Sequence, residues 1–336
     1  MNLCVCGYYG FGNFGDELFL RTLAQQFPED AVFPYSPLVD IAQVDAVIIG
    51  GGDLITPYHY NNYYFPEALR GLPTWVYGVG IVDFYPENTW PAAAVNRYRE
   101  RLQETNGLYL RDEWSVQTAR SHSFHSAVEL VPDIAFSYKE PRYPFRFSAS
   151  KKTVGVCVFA YDDFPFDSFV KLLGEISRQN LALVLIPVVH HVNNPYTDLA
   201  VCARIRDAVK DAHPAADIVV AEAATDLDIT YRCLQSVDYL ISFKLHPALV
   251  ALRGGVPVLS LSKMGKVRSL LRSLGLSAYF ADYEAPHSVL ADRVEMLLSQ
   301  GKADVDRVLP LIRDKETTGT AKLQSLREQI RAVCGR

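Results

Sequence analysis

VDYLISFKLHPALVALRGGVPVLSLSKMGKV, Val237 to Val267, decides the fold of this 336-residue chain. Residues 238–242 read as a buried strand, Pro247 suits a first helical position, Gly254-Gly255 suits that helix's end, and residues 256–261 run as the next strand. Lys244 and His246 therefore fall at a helix N-terminus, on the carboxyl edge of a parallel sheet. Backbone N–H groups and the positive end of the helix dipole, joined by an ammonium and an imidazole, have the makings of an anion site. The same pattern also occurs in sheet proteins where such a lysine is solvated and the histidine caps the helix.

Working outward, apolar runs alternate with helical periodicity along the whole chain. Strands are expected at 3–6, 46–49, 74–77, 108–110 and 128–131, with helices at 16–27, 91–103 and 113–120. Residues 136–152, FSYKEPRYPFRFSASKK, mix prolines, aromatics and basic residues without a period and read as a linker. The alternation restarts with strands at 153–159, 182–188, 218–221, 238–242 and 256–261, and residues 316–333 read as a final helix. This is an α/β chain of two doubly wound, Rossmann-like domains facing a cleft, a GT-B-like plan in which the C-terminal helix crosses back to the first half. The expected boundaries are 1–145, 152–315 and 316–336.

Composition narrows the function classes. The chain is 49% hydrophobic and 21% charged with a formal net charge of −5, and without a Lys/Arg-rich run it offers nucleic acid no basic stripe. No segment reaches the ~18 apolar residues of a membrane span, and MNLCVCGYYG lacks the basic and apolar regions of a signal peptide, so a cytoplasmic location is expected. Six cysteines without a CxxC pair or a His/Cys cluster of zinc spacing read as reduced thiols, with no metal site.

Chemistry concentrates in loops that follow strands. GYYGFGNFGDE (7–17) opens the first helix, its glycines allowing close backbone approach and its Asp16 and Glu17 complementing the dipole. Its spacing matches neither a Rossmann fingerprint nor a Walker A loop. Gly50-Gly51-Gly52-Asp53 and Gly78-Val79-Gly80 end two further strands, so three glycine-rich turns converge on one edge as a cleft wall. Tyr58 to Phe65, YHYNNYYF, combines rings with amides, which suits a sugar or packs on its own domain or a dimer partner. In LYLRDEWSVQTAR (108–120), Arg111 either clamps a carboxylate or phosphate or pairs with Asp112 or Glu113. His190-His191, followed by Asn193-Asn194-Pro195 and Asp198, ends a strand of the second half; adjacent histidines face opposite ways and do not chelate one metal, but they can line a cleft.

Taken together, GYYGFGNFGDE, IIGGGDLI, YLRDEWSV, VPDIAFS and DYLISFKLHPALVALRGGVPVLSL resemble the polysaccharide pyruvyl transferase family, in the family's order and over nearly the whole chain. The resemblance implies a GT-B-like enzyme that forms a pyruvate ketal on a sugar of a cell-surface polysaccharide or glycan precursor. Phosphoenolpyruvate is the co-substrate, and neither metal nor nucleotide cofactor is needed. It carries the donor site onto Arg111, Lys244, Leu245, His246 and Lys266, with His246 as proton donor and Asp16 or Glu17 as base. The acceptor side of the first domain would use Gly12, Asn13, Asp53, Tyr60 and Tyr63, and the acceptor would be a sugar or lipid-linked oligosaccharide. A lipid-linked acceptor would bring peripheral association with the inner face of a membrane, and a homo-oligomer is compatible. The chain departs from the family pattern at Lys244-Leu245-His246, where Arg-Leu-His is usual, at Leu261-Ser262-Lys263, where Tyr-Asp precedes the lysine, and at Phe159-Ala160-Tyr161, where an arginine is frequent. A GT-B glycosyltransferase using a nucleotide sugar and a noncatalytic glycan-binding paralogue are the alternatives.

Overall fold

The computed structural model describes residues 1–141, 145–147, 150–159, 163–190, 197–222 and 226–335. They group into two units, one of residues 1–10, 15–139 and 314–336, the other of residues 11–14 and 140–313.

In the first unit, β1 (Asn2–Cys6), β2 (Ala31–Pro34), β3 (Ala46–Gly50), β4 (Thr74–Val79), β5 (Gly107–Leu110) and β6 (Val128–Leu130) form a parallel sheet in the order β2-β1-β3-β4-β5-β6. Helices α1 (Phe14–Gln26), α2 (Ala92–Gln103) and α3 (Glu113–Ser121) supply crossovers. The central strands AVIIG and TWVYGV are buried at every residue, as a sheet covered on both faces requires. Strand β2 escapes the sequence pattern: it is four residues long, half exposed, and ends at Pro34, whose missing N–H is tolerated only at a sheet edge. Phe136 and Tyr138, expected in the linker, are buried in this unit, Phe136 within the 3-10 turn Ile134–Ser137 and Tyr138 as its C-cap.

The second unit repeats the plan. Strands β7 (Thr153–Cys157), β8 (Ala182–Leu185), β9 (Ile218–Val220), β10 (Tyr239–Ser242), β11 (Val258–Leu261) and β12 (Phe280–Ala281) are parallel in the order β12-β11-β10-β7-β8-β9. Helices α4 (Phe166–Ser177), α5 (Asp198–Ala212), α6 (Leu227–Ser236), α7 (Leu245–Arg253) and α8 (Gly265–Ser273) connect them. Helix α7 starts two residues before Pro247, which is tolerated there because the first turn's N–H groups have no intrahelical acceptor. It ends at Gly254, and Gly255 follows at φ 73° in the left-handed cap conformation.

Helix α9 (His287–Val333) is one 47-residue element, longer than the expected 316–333, and its residues from Asp314 onward belong to the first unit. There Gln329 accepts a hydrogen bond from Tyr109 Oη at 2.8 Å, and Arg331 pairs with Glu29 at 2.6 Å.

In each sheet the chain reverses its direction of strand addition once, between β1 and β3 in the first unit and between β7 and β10 in the second. Loops leaving the carboxyl ends of strands diverge at such points and leave a crevice. Gly51, at φ 74°, follows β3 beside the first of them, and an added Cβ would lie 2.2 Å from the Phe19 ring, whereas at Gly10, φ 81°, nothing lies within 4 Å. Gly10→Ala is therefore expected to cost only the left-handed backbone penalty of about 1 to 2 kcal/mol, and Gly51→Ala distinctly more. Urea unfolding of the two variants checks the order; equal shifts would contradict the packing of Phe19 against that turn.

Candidate functional site

At the carboxyl edge of the first sheet, Asp16 and Glu17 occupy the first turn of α1. The Glu17 carboxylate accepts the Gly10 N–H at 2.7 Å, tying the glycine loop to the helix. Asp16 is buried, and its Oδ1 lies 3.1 Å from the place a Cβ on Gly52 would occupy. Asp53, just past β3, forms an ion pair with Arg111, just past β5. Arg111 also stands 3.6 Å from Asp133 and 4.0 Å from Asp112, with its side chain only 4% exposed. Gly80, at the end of β4, makes the pair possible, since a Cβ there would be 2.6 Å from Asp53 Oδ1 and 3.0 Å from Arg111 Nε.

Burial by itself would lower the Arg111 pKa, but Asp53, Asp133, Asp112 and Asp16 reverse that and hold it above its ordinary value. One guanidinium facing four carboxylates leaves an acidic corner, so in this unit Arg111 acts as a counter-ion. Of the local partners expected, Asp112 pairs with it at 4.0 Å, while Asp53 and Asp133 come from other loops. Asp112 caps α3 by accepting from Ser115 N at 2.8 Å, and Glu113 is not among the ion-pair partners found. The GGGD and VPD motifs announce the two carboxylates, but only the strand order brings them to Arg111.

Tyr60 turns inward. Its ring lies 4.8 Å from Tyr98 and 6.0 Å from Phe65 with the Arg97 guanidinium 4.2 Å above it, and burial raises its phenol pKa to about 12. Tyr63 is exposed, edge-on to Tyr64.

At the carboxyl edge of the second sheet, Lys244 is the N-cap residue of α7, Leu245 its buried first residue and His246 its half-buried second. The turn is fixed by Ser242, whose hydroxyl donates to Lys244 O at 2.8 Å and accepts from Lys244 N at 3.1 Å. Ser262 Oγ likewise accepts from Met264 N at 3.1 Å before α8, where Lys266 is the second residue. Two consecutive strand-to-helix turns of one design thus present helix N-termini along one edge.

The Lys244 ammonium lies 2.8 and 2.6 Å from the two oxygens of Asp198, a carboxylate only 2% exposed that also accepts from Val188 N at 3.1 Å. Asp198 opens α5 behind its N-cap Thr197. The sequence marked it only as a residue following a strand end; its pairing with Lys244 was not legible.

Gly12 and Asn13 group with the second unit, where His190 N donates to Gly12 O at 2.8 Å and Asn13 bridges Val189. Gly12 has φ 70°, and a Cβ would sit 2.6 Å from His190 O. His191, Asn193, Asn194 and Pro195, like Ala160 and Tyr161, lie outside the described residues. Among the described residues no group of three or more His, Cys, Asp or Glu side chains is placed to hold a metal, and no helix is long and apolar enough to cross a membrane.

A family model described as polysaccharide pyruvyl transferase matches residues 13–262, a span containing Asp16, Asp53, Arg111, Asp198, Lys244 and His246. The chain belongs to the polysaccharide pyruvyl transferase family. Membership makes it a transferase of the polysaccharide-pyruvylating class. No curated protein sequence matches it significantly. Among solved structures, it is similar to UDP-GlcNAc 2-epimerase from Neisseria meningitidis bound to UDP-GlcNAc (TM-score 0.61, 11% identity, 98% of this chain and 99% of that one). It is also similar to S. aureus MnaA with UDP (0.59, 11%, 95% and 91%) and to a mutant Thermobaculum terrenum O-GlcNAc transferase (0.51, 16%, 99% and 68%). At such identities the likeness is one of fold, the GT-B fold with its two Rossmann-like domains, which this pyruvyl transferase family member shares.

The pair of Lys244 and Asp198 makes a stability prediction. Lys244→Ala strands a buried carboxylate and is expected to cost about 3 to 5 kcal/mol, and adding Asp198→Asn should recover part of the loss. Urea denaturation of the single and double variants gives the coupling; additive effects would rule the pair out as a buried unit.

Proposed function

We propose that this protein transfers the enolpyruvyl carbons of phosphoenolpyruvate to two hydroxyls of one sugar, forming a cyclic ketal and releasing phosphate. The observation that carries the reading is the turn Ser242 to His246: within the family-matched span, at the switch point of the second sheet, it sets an imidazole on the N-terminus of α7. Backbone N–H groups there suit an anion of carboxylate and phosphate, and Lys266 at the start of α8 adds charge. Lys244, compensated by Asp198, contributes a fixed donor more than net charge.

His246, as imidazolium, protonates the methylene carbon, and the C=C pair forms the new C–H bond, leaving an oxocarbenium-like centre at C2. One sugar hydroxyl adds to C2 and yields its proton to a base. The C2–O bond to phosphate breaks, and a neighbouring hydroxyl closes the ring with loss of a second proton. Asp16 or Glu17, in the first turn of α1, is the candidate base. Asp53 would orient acceptor hydroxyls, with Arg111 holding it in place rather than gripping the donor. The reading implies a cytoplasmic reaction on a glycan precursor, with membrane contact where the acceptor is lipid-linked.

His246→Ala should stay folded and lose about 10² to 10⁴ in turnover. Phosphoenolpyruvate at a hundredfold excess over Kd should stabilise the wild type by about 2.7 kcal/mol in thermal unfolding. Nucleotide sugars form the second arm, since two structural neighbours carry UDP or UDP-GlcNAc. Stabilisation by a nucleotide sugar alone, or undiminished transfer by His246→Ala, would overturn the assignment.

A further inference from the structure

The loops after β3 and β4 leave the first sheet side by side. Ile55 and Ile81 form a parallel bridge, Val82 N donates to Ile55 O at 2.9 Å, and Ile81 N donates to Ser115 Oγ at 2.9 Å. Farther out, the Tyr58 ring meets Tyr85 edge-on at 5.1 Å and lies 5.0 Å from His59, while Trp90 Nε1 holds Tyr85 O at 3.1 Å. Beyond this stapled base Phe84 and Tyr85 stand in solvent, 56% and 55% exposed. Two large adjacent rings on a fixed backbone form an exposed aromatic patch. The acidic corner lies at the root of the same two loops: Asp53 stands two residues before the Ile55 bridge, and its Oδ1 is 2.6 Å from where a Cβ on Gly80 would sit.

We propose that Phe84, Tyr85 and Tyr58 form a subsite for a neutral carbohydrate chain, binding sugars beyond the one that is modified. The inference deepens the acceptor half of the proposed function and is independent of its donor half. Charge selects the occupant. Residues 54–65 contain no Lys, Arg, Asp or Glu, and residues 81–90 contain Asp83 and Glu87 but no base. An anionic bilayer or a nucleic acid is drawn by clustered Lys and Arg, and these two loops carry none. Pyranose C–H faces stack on exposed rings, and the hydroxyls of Tyr58 and Tyr85 offer partners for sugar hydroxyls. Continuity with Asp53 would let one chain run from the stacked rings to the carboxylates.

The test uses no donor. Linear pentasaccharides of glucose, galactose and N-acetylglucosamine, with the matching monosaccharides, are titrated against the full-length protein by saturation-transfer NMR. At least one pentasaccharide is expected to bind, and Phe84→Ala with Tyr85→Ala should weaken it about tenfold, while Phe84→Trp retains binding. Both side chains are more than half exposed, so the double variant should stay folded, and any stabilisation by phosphoenolpyruvate should be unchanged. Failure of all pentasaccharides to bind, or equal binding by the double variant, overturns the subsite. So does a double variant that changes sedimentation mass or binding to phosphatidylglycerol vesicles in place of sugar binding. Failure of the donor half alone would appear as absent phosphoenolpyruvate stabilisation with pentasaccharide binding intact.

Discussion

A parallel strand brings the chain to one edge of its sheet and must return by a crossover before the next strand begins, and that constraint organises everything chemical in this protein. Each of the two sheets is wholly parallel, so every loop that follows a strand opens on the same edge. The glycine loop, the Asp53 and Arg111 corner, the Asp198 start of α5 and the Lys244 turn are all loops of this kind. Where strand addition reverses, between β1 and β3 and between β7 and β10, neighbouring crossovers depart to opposite faces and the loops lie open to a ligand.

Buried charge is handled alike in both units. A cation standing past a strand end meets a carboxylate from the loop of another strand: Arg111 meets Asp53 and Asp133, and Lys244 meets Asp198. Such pairs contribute less to stability than their Coulomb energy suggests, because desolvation offsets most of it. What they fix is position, since a low-dielectric site penalises any conformer that separates them. Lys244 does its anchoring with one charge and three donors, without the planar fork that an arginine would bring.

The glycines show how closely the backbone is shaped around these groups. Gly80 leaves room for the Asp53 and Arg111 pair, Gly52 for Asp16, and Gly12 for the His190 carbonyl, each where a Cβ would come within 3.1 Å. Aromatic residues divide by the same geometry, Tyr60 closing over the core beside Tyr98 while Phe84 and Tyr85 remain outside.

The sequence by itself determined the class of fold, the repeated strand and helix alternation, the family, and the location of the Lys244 to His246 turn. Those properties are local: apolar runs of strand length, glycines at strand ends and helix-start residues declare themselves within a few positions. The edge strand β2, with Pro34 and a half-exposed pattern, gave too weak a local signal. The unbroken run of α9 from His287 was not read either. Only the tertiary structure decided the partners. Asp198 lies 46 residues from Lys244 and Asp53 lies 58 from Arg111, and they meet because the sheet order places β8 two strands from β10 and β3 two strands from β5. The inward turn of Tyr60 and the outward stand of Phe84 and Tyr85 likewise depend on how α2 and the loop after β4 pack, which no local pattern encodes.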